Sequence, residues 1–249
     1  MELDSYALVC LPPAGCSANI YQPFKKYVAK NCHLVALEYP GHGRKLAQPL
    51  EANIECLAAQ LAQEIISLPE QDIILFGHSL GAGLIWPILD ALKQQQAEQR
   101  IKMLAISSRP APNMSQHLIN KQHLSDQQLT QQLRDYNYLP EAILNNPELM
   151  RFCLKLIRHD FALSDALILT HHYLPSDIPA VVVYGHQDPD LLHPSMLEAW
   201  QSYTKHWLGT IELSGDHFYF SHPDVLQRML AEIQRKFKYL QPNNAQVDA

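Results

Sequence analysis

The sequence is poor in several residue types and patterns, and each shortage excludes something. Only five of its 249 residues are cysteine, an odd number, and none forms a Cys-x-x-Cys pair. A disulfide framework is therefore not expected, and a reducing, cytoplasmic setting is. Lysine and arginine number 19 against 25 acids, for a net charge of −6. That balance argues against a nucleic-acid surface and supplies no polybasic patch for a membrane. No apolar run reaches transmembrane length. The opening "MELDSYALVC" is acidic and passes at once into a strand, unlike a secretory leader. The thirteen histidines include no His-Glu-x-x-His spacing, and adjacent His171 and His172 would diverge on a helix. No metal site and no cofactor are expected. No repeat, linker or low-complexity stretch divides the chain, so residues 1–249 are read as one domain.

What is present is alternation. Apolar runs read as strands at Tyr6–Leu11, His33–Tyr39, Asp72–Phe76, Lys102–Ser108, Ala180–Gly185 and Gly209–Gly215. Helical spacing falls between them at about 18–29 and 54–67, after residue 80, and at 223–239. Pro87 should kink the helix after residue 80, because it lacks an N–H and crowds the Gly83 carbonyl. Strand–helix alternation predicts a mostly parallel central sheet with helices on both faces. One block breaks the rhythm. From about Ser115 to Leu174 the pattern is helical throughout, which reads as a helical lid inserted between strands.

The stretch "FGHSLGAG" places Ser79 between a buried strand and a helix. In a Gly-x-Ser-x-Gly elbow the turn is sharp and the hydroxyl stands above the sheet edge. A serine needs a base to take its proton. Two later strands end in "HQDPD" and "DHFYF", which supply Asp188 and His217 in that order. His217 would accept the Ser79 proton, and Asp188 would hold its tautomer. Asp190 is the nearest rival for the acid, and Asp216 adjoins His217. Acyl transfer also needs amide donors for an oxyanion. Leu80 follows the nucleophile. Ala14 is the first residue with an N–H after Pro12 and Pro13 in "LPPAGCSANIY".

With these residues in view, the chain resembles the type II thioesterases of nonribosomal peptide and polyketide synthesis. The segments "LPPAGCSANIY", "EYPGHGRK", "GHSLGA", "SSRPAP", "LIRHDFAL", "YGHQDPD" and "SGDHFYF" are similar to that family's loops and lid. Pro13 stands where the family often has histidine, and Cys16 where it usually has a second glycine. The resemblance implies an α/β-hydrolase fold. It implies hydrolysis of acyl groups from the phosphopantetheine arm of acyl or peptidyl carrier proteins, in editing or release. It carries catalysis to Ser79, Asp188 and His217 and the oxyanion hole to Ala14 and Leu80, in a monomer without cofactor. A small-molecule carboxylesterase or lipase would share the triad. A catalytically inactive binding protein would share the fold.

Overall fold

Short continuous apolar runs build the centre of the molecule. The computed structural model describes residues 5–136, 139, 141–170 and 173–241. The His171–His172 pair and the polar tail from residue 242 lie outside the described residues. The strands are β1 (Tyr6–Leu11), β2 (Cys32–Ala36), β3 (Asp72–His78), β4 (Ile101–Ser107), β5 (Ala180–Gly185) and β6 (Trp207–Leu213). They form one sheet of order β2-β1-β3-β4-β5-β6, and every pairing is parallel.

In the inner strands β1, β3, β4 and β5, successive residues enter different cores. Ala7, Val9, Ile73, Leu75, Leu104, Ile106 and Val182 face one layer of helices. Leu8, Cys10, Ile74, Phe76, Met103, Ala105 and Val183 face the other. Burial on both faces is why these strands read as unbroken apolar runs. The first layer contains α1 (Ile54–Ile66) and, beyond α2 (Leu80–Gly83), α3 (Ile85–Gln94). The second contains α8 (Pro223–Tyr239) and the turn Ala18–Lys26. This is the α/β-hydrolase arrangement.

Local chemistry accounts for the departures from expectation. The expected helix at 18–29 is a 3₁₀ helix, Ala18–Lys26, with Pro23 inside it, where an α-helical bond would need the missing N–H. The second strand stops at Ala36. Beyond it, the buried Glu38 carboxylate accepts the Ala18 N–H (2.9 Å) and the Arg44 N–H (3.3 Å), drawing the chain into loops. The helix after residue 80 breaks at Leu84 into α2 and α3, three residues before Pro87.

Between β4 and β5 the described chain contains no regular strand. It holds α4 (Asp126–Asp135), α5 (Glu141–Leu144) and α6 (Pro147–Leu169), with short 3₁₀ turns before them. Ser125 and Gln128 form a reciprocal capping box on α4, and Asn146 caps α6 ahead of Pro147. Leu129 and Leu133 pack with Met150, Leu154 and Ile157 in a small core of their own. The C-terminal half of α6 places Leu163 and Leu167 in the main core. A short helix, α7 (Ser195–Glu198), precedes β6.

Candidate active site

The reversal of strand order puts β1 and β3 side by side, with their connections leaving in opposite directions. In open parallel sheets ligands bind at such a point, outside the carboxyl ends of the strands. Ser79 stands there, directly after β3. Its backbone has φ +54° and ψ −111°, outside the usual regions for an L-residue. The neighbours hold that conformation. The Ser79 N–H donates to the Ser107 carbonyl (2.8 Å), and Arg109 Nη1 donates to the Ser79 carbonyl (3.3 Å). A Cβ on Gly77 would overlap the Gly81 carbonyl, and one on Gly81 would overlap the Leu11 carbonyl. Strand and helix can cross this closely only because both positions lack a side chain.

Asp188 follows β5 and His217 follows β6, and both are buried. His217 Nδ1 lies 2.9 Å from Asp188 Oδ2. An ionised carboxylate only accepts, so Nδ1 carries the proton and Nε2 is left bare. Burial pushes the His217 imidazole down, but the Asp188 charge and hydrogen bond, with Asp190 behind them, hold it above its ordinary value. No hydrogen bond joins Ser79 Oγ to His217 among the described residues. Such bonds commonly tighten only when substrate is bound.

Asp190 is differently placed. Its Oδ1 accepts from Lys121 Nζ (2.6 Å) and from the Tyr136 hydroxyl (2.6 Å), and its own N–H donates to Asp188 Oδ1 (3.0 Å). Burial pushes its carboxyl up, but Lys121 foremost, then His217, holds it below the usual range. Lys121 and Tyr136 belong to the helical segment between β4 and β5, and the Tyr136 ring lies 5.6 Å from that of His217. Asp188, Asp190 and His217 have ligand atoms close enough to hold a cation. The Lys121 ammonium on Asp190 and the proton on His217 Nδ1 occupy those atoms instead.

The expected oxyanion donors, Ala14 and Leu80, are both buried. Neither amide is spent on a hydrogen bond among the described residues. The loop carrying Ala14 is a turn closed by the Cys16 N–H on the Pro13 carbonyl (3.2 Å). His78, beside the serine, is fully buried, and its Nδ1 lies 2.8 Å from Ser107 Oγ. Burial drives its imidazole well below the ordinary value, so it stays neutral and packs at 4.9 Å from the His217 ring.

Arg109 escaped the sequence reading. It is 4% exposed, donates from Nη1 to Ser164 Oγ of α6 (3.1 Å), and burial lowers its guanidinium to about 10. Asp160 of α6 escaped it too. Its carboxylate reaches the turn beside Ala14, accepting the Gly15 N–H at 2.7 Å. The signal for both lay in "SSRPAP" and "LIRHDFAL", which hold charged residues inside otherwise buried segments.

Comparison with known proteins gives one consistent neighbourhood. The profile of the thioesterase domain matches residues 6–237. Gramicidin S biosynthesis protein GrsT of Aneurinibacillus migulanus is 26% identical over 91% of this chain and 88% of its own length. A probable cadicidin biosynthesis thioesterase of Streptomyces griseus is 26% identical over 93% of this chain, which spans 63% of that relative. Among solved structures, the RedJ thioesterase from the prodiginine pathway of Streptomyces coelicolor superposes with a TM-score of 0.82. It is 27% identical, and the match covers 94% of this chain and 86% of that one.

Proposed function

Because the chain belongs to the thioesterase-domain family, we propose that it is a serine thioesterase of the type II class. On this reading it hydrolyses acyl groups carried on the phosphopantetheine thiol of acyl or peptidyl carrier proteins. The single observation that carries the reading is the Asp188–His217 pair, 2.9 Å apart, at the strand edge where Ser79 sits on its strained turn. Ser79 Oγ attacks the thioester carbonyl while its proton passes to His217 Nε2. The carbonyl π pair becomes an oxyanion facing the Ala14 and Leu80 amides. As the oxyanion collapses, the C–S bond breaks and the thiolate leaves with the proton from His217. Water then repeats the cycle on the acyl-enzyme and frees the acid. Asp188 keeps the histidine in the tautomer that makes both transfers possible. The residues supply all of this, and no cofactor or metal enters the reaction.

The helical segment at about 115–174 acts as the lid of the one domain formed by residues 1–249. Support comes from Lys121 and Tyr136, which reach the acid loop through Asp190. No helix among the described residues is long and apolar enough to cross a membrane, and none of the five cysteines forms a disulfide there. A cytoplasmic setting beside a synthase is consistent with both. The test is a panel of acylated carrier proteins assayed for acid release, alongside matched oxygen esters. Thioester turnover that vanishes in Ser79→Ala supports the reading. Turnover of the oxygen esters alone would make the protein a carboxylesterase.

A further inference from the structure

Three segments far apart in the sequence meet at one buried carboxylate. Asp160, in the middle of α6, has no exposed surface. Its Oδ2 accepts the Gly15 N–H at 2.7 Å and faces His42 Nε2 at 3.0 Å, and its Oδ1 faces His159 Nδ1 at 3.0 Å. His42 Nδ1 faces the Pro40 carbonyl at 3.0 Å. A carbonyl and an ionised carboxylate both only accept, so His42 carries a proton on each nitrogen and pairs with Asp160 as an imidazolium. The segments "PPAGCS", "PGHGR" and "RHD" are thus joined by charge-assisted bonds inside the protein.

The geometry at Gly15 gives the joint its meaning. Pro13 to Cys16 is a four-residue turn, closed by the Cys16 N–H on the Pro13 carbonyl, and Gly15 at its third position has φ +68°. That is the signature of a type II turn, which differs from type I by a flip of the middle peptide. The N–H of the middle peptide is the one Asp160 accepts. Ala14 is the corner residue of the same turn.

We propose that Asp160 is a positioning residue for the oxyanion hole: by accepting the Gly15 N–H it pins the turn so that the Ala14 amide stays aimed at the thioester oxygen. The inference rests on the serine-thioesterase reading above. It makes α6 part of the catalytic scaffold as well as of the lid. His42 is the counter-charge that keeps Asp160 ionised, and hence a strong acceptor, at a fully buried position.

The test separates transition-state from ground-state binding. Asp160→Ala should lower kcat on a short-acyl N-acetylcysteamine thioester by about 10–100-fold with little change in KM, somewhat less than the ~10²–10³ lost with a whole oxyanion donor. A trifluoromethyl ketone analogue reads the same defect without turnover. Ser79 Oγ adds to its carbonyl, the serine proton passes to His217, and the new oxyanion needs the hole. Its affinity should fall by the same factor as kcat. A thioether analogue with no carbonyl should bind as it does to the wild type. Asp160→Asn keeps the volume and one acceptor oxygen and should lose less. His42→Leu leaves the Gly15 bond in place but removes the counter-charge, and gives a readout if Asp160→Ala does not fold. Wild-type kcat and ketone affinity in these variants would overturn the inference, as would equal losses for ketone and thioether. If the wild type forms no ketone adduct while Ser79 is intact, the serine-thioesterase reading fails and takes the inference with it.

Discussion

Ser79 holds φ +54°, and that strain is tolerable only because its amide and its carbonyl are both tied down. The hydroxyl can therefore be removed without disturbing the turn. Ser79→Ala should keep the melting temperature near that of the wild type and abolish the acyl-enzyme mass adduct. An adduct that survives on the variant would refute the nucleophile. Asp188→Asn should cost about 10⁴ in kcat, because an amide in that place favours the wrong histidine tautomer. Asp190→Asn should cost much less, since Asp190 faces Lys121 and Tyr136 rather than the Nδ1 proton. The ranking of the two, read from steady-state kinetics on one substrate, decides which is the acid. The pH dependence follows from His217. Its conjugate acid is held above the ordinary value, and only the neutral imidazole can take the serine proton. The acid limb of kcat/KM should therefore lie above about 6.5, with activity rising as pH increases through it. In Asp188→Asn the limb should move to lower pH. A limb at the same pH in both proteins would point to another base.

The element scale shows what could be read from sequence and what could not. β1, β5 and α8 begin and end where their apolar periodicity does, because burial on both faces writes itself directly into composition. The turn at Ser79 was legible for the same reason: Gly77 and Gly81 mark a crossing that any side chain would block. Apolar spacing predicts a helix over about 18–29 where a 3₁₀ helix ends at Lys26, because spacing says nothing of whether backbone donors are available, and Pro23 withholds one. The roles of Asp160 and Arg109 do not follow from the sequence, because the Gly15 amide and the Ser79 carbonyl that they bind lie 145 and 30 residues away. A sequence reveals which side chains are polar, but not which distant amide or carbonyl they serve. The crossing itself is testable. Gly81→Ala should destabilise the protein by about 1–3 kcal/mol, the usual cost of overpacking, because its methyl meets the Leu11 carbonyl. Urea denaturation reads it. An unchanged midpoint would mean that helix and strand are less tightly crossed.

At the scale of the whole molecule, charge and shape have to be reconciled. A net charge of −6 gives no broad attraction for a partner bearing a phosphopantetheine arm, whose phosphate is itself anionic, so docking falls to a local patch. Most cations of the helical segment are already engaged: Lys121 with Asp190, Arg134 with Glu141 and Arg158 with Asp126. Lys155 on α6 is exposed, and Leu149 and Phe152 lie at spacings of three along the same helix, 46% and 45% exposed. Lys155→Glu should raise KM for a carrier-bound thioester and leave that for an N-acetylcysteamine thioester unchanged. An equal effect on both substrates would remove Lys155 from the docking surface.

The 23 residues of α6 form a rod about 34 Å long. It is riveted to the turn beside Ala14 by Asp160 and to the buried Arg109 by Ser164, while Leu163 and Leu167 root it in the main core. A beam fastened in this way does not swing. It serves as a doorpost: α4 and the chain around Lys121 hang from it through Asp126 on Arg158 and through Asp165, which accepts from Asn120 and Gln122, and Lys121 and Tyr136 latch them to Asp190 on the acid loop. Hydrogen exchange should separate the two: amides in the second half of α6 exchanging as slowly as those of the sheet, and those of α4 much sooner. Substrate would then enter by releasing a latch, with the frame that aims the oxyanion donors left standing.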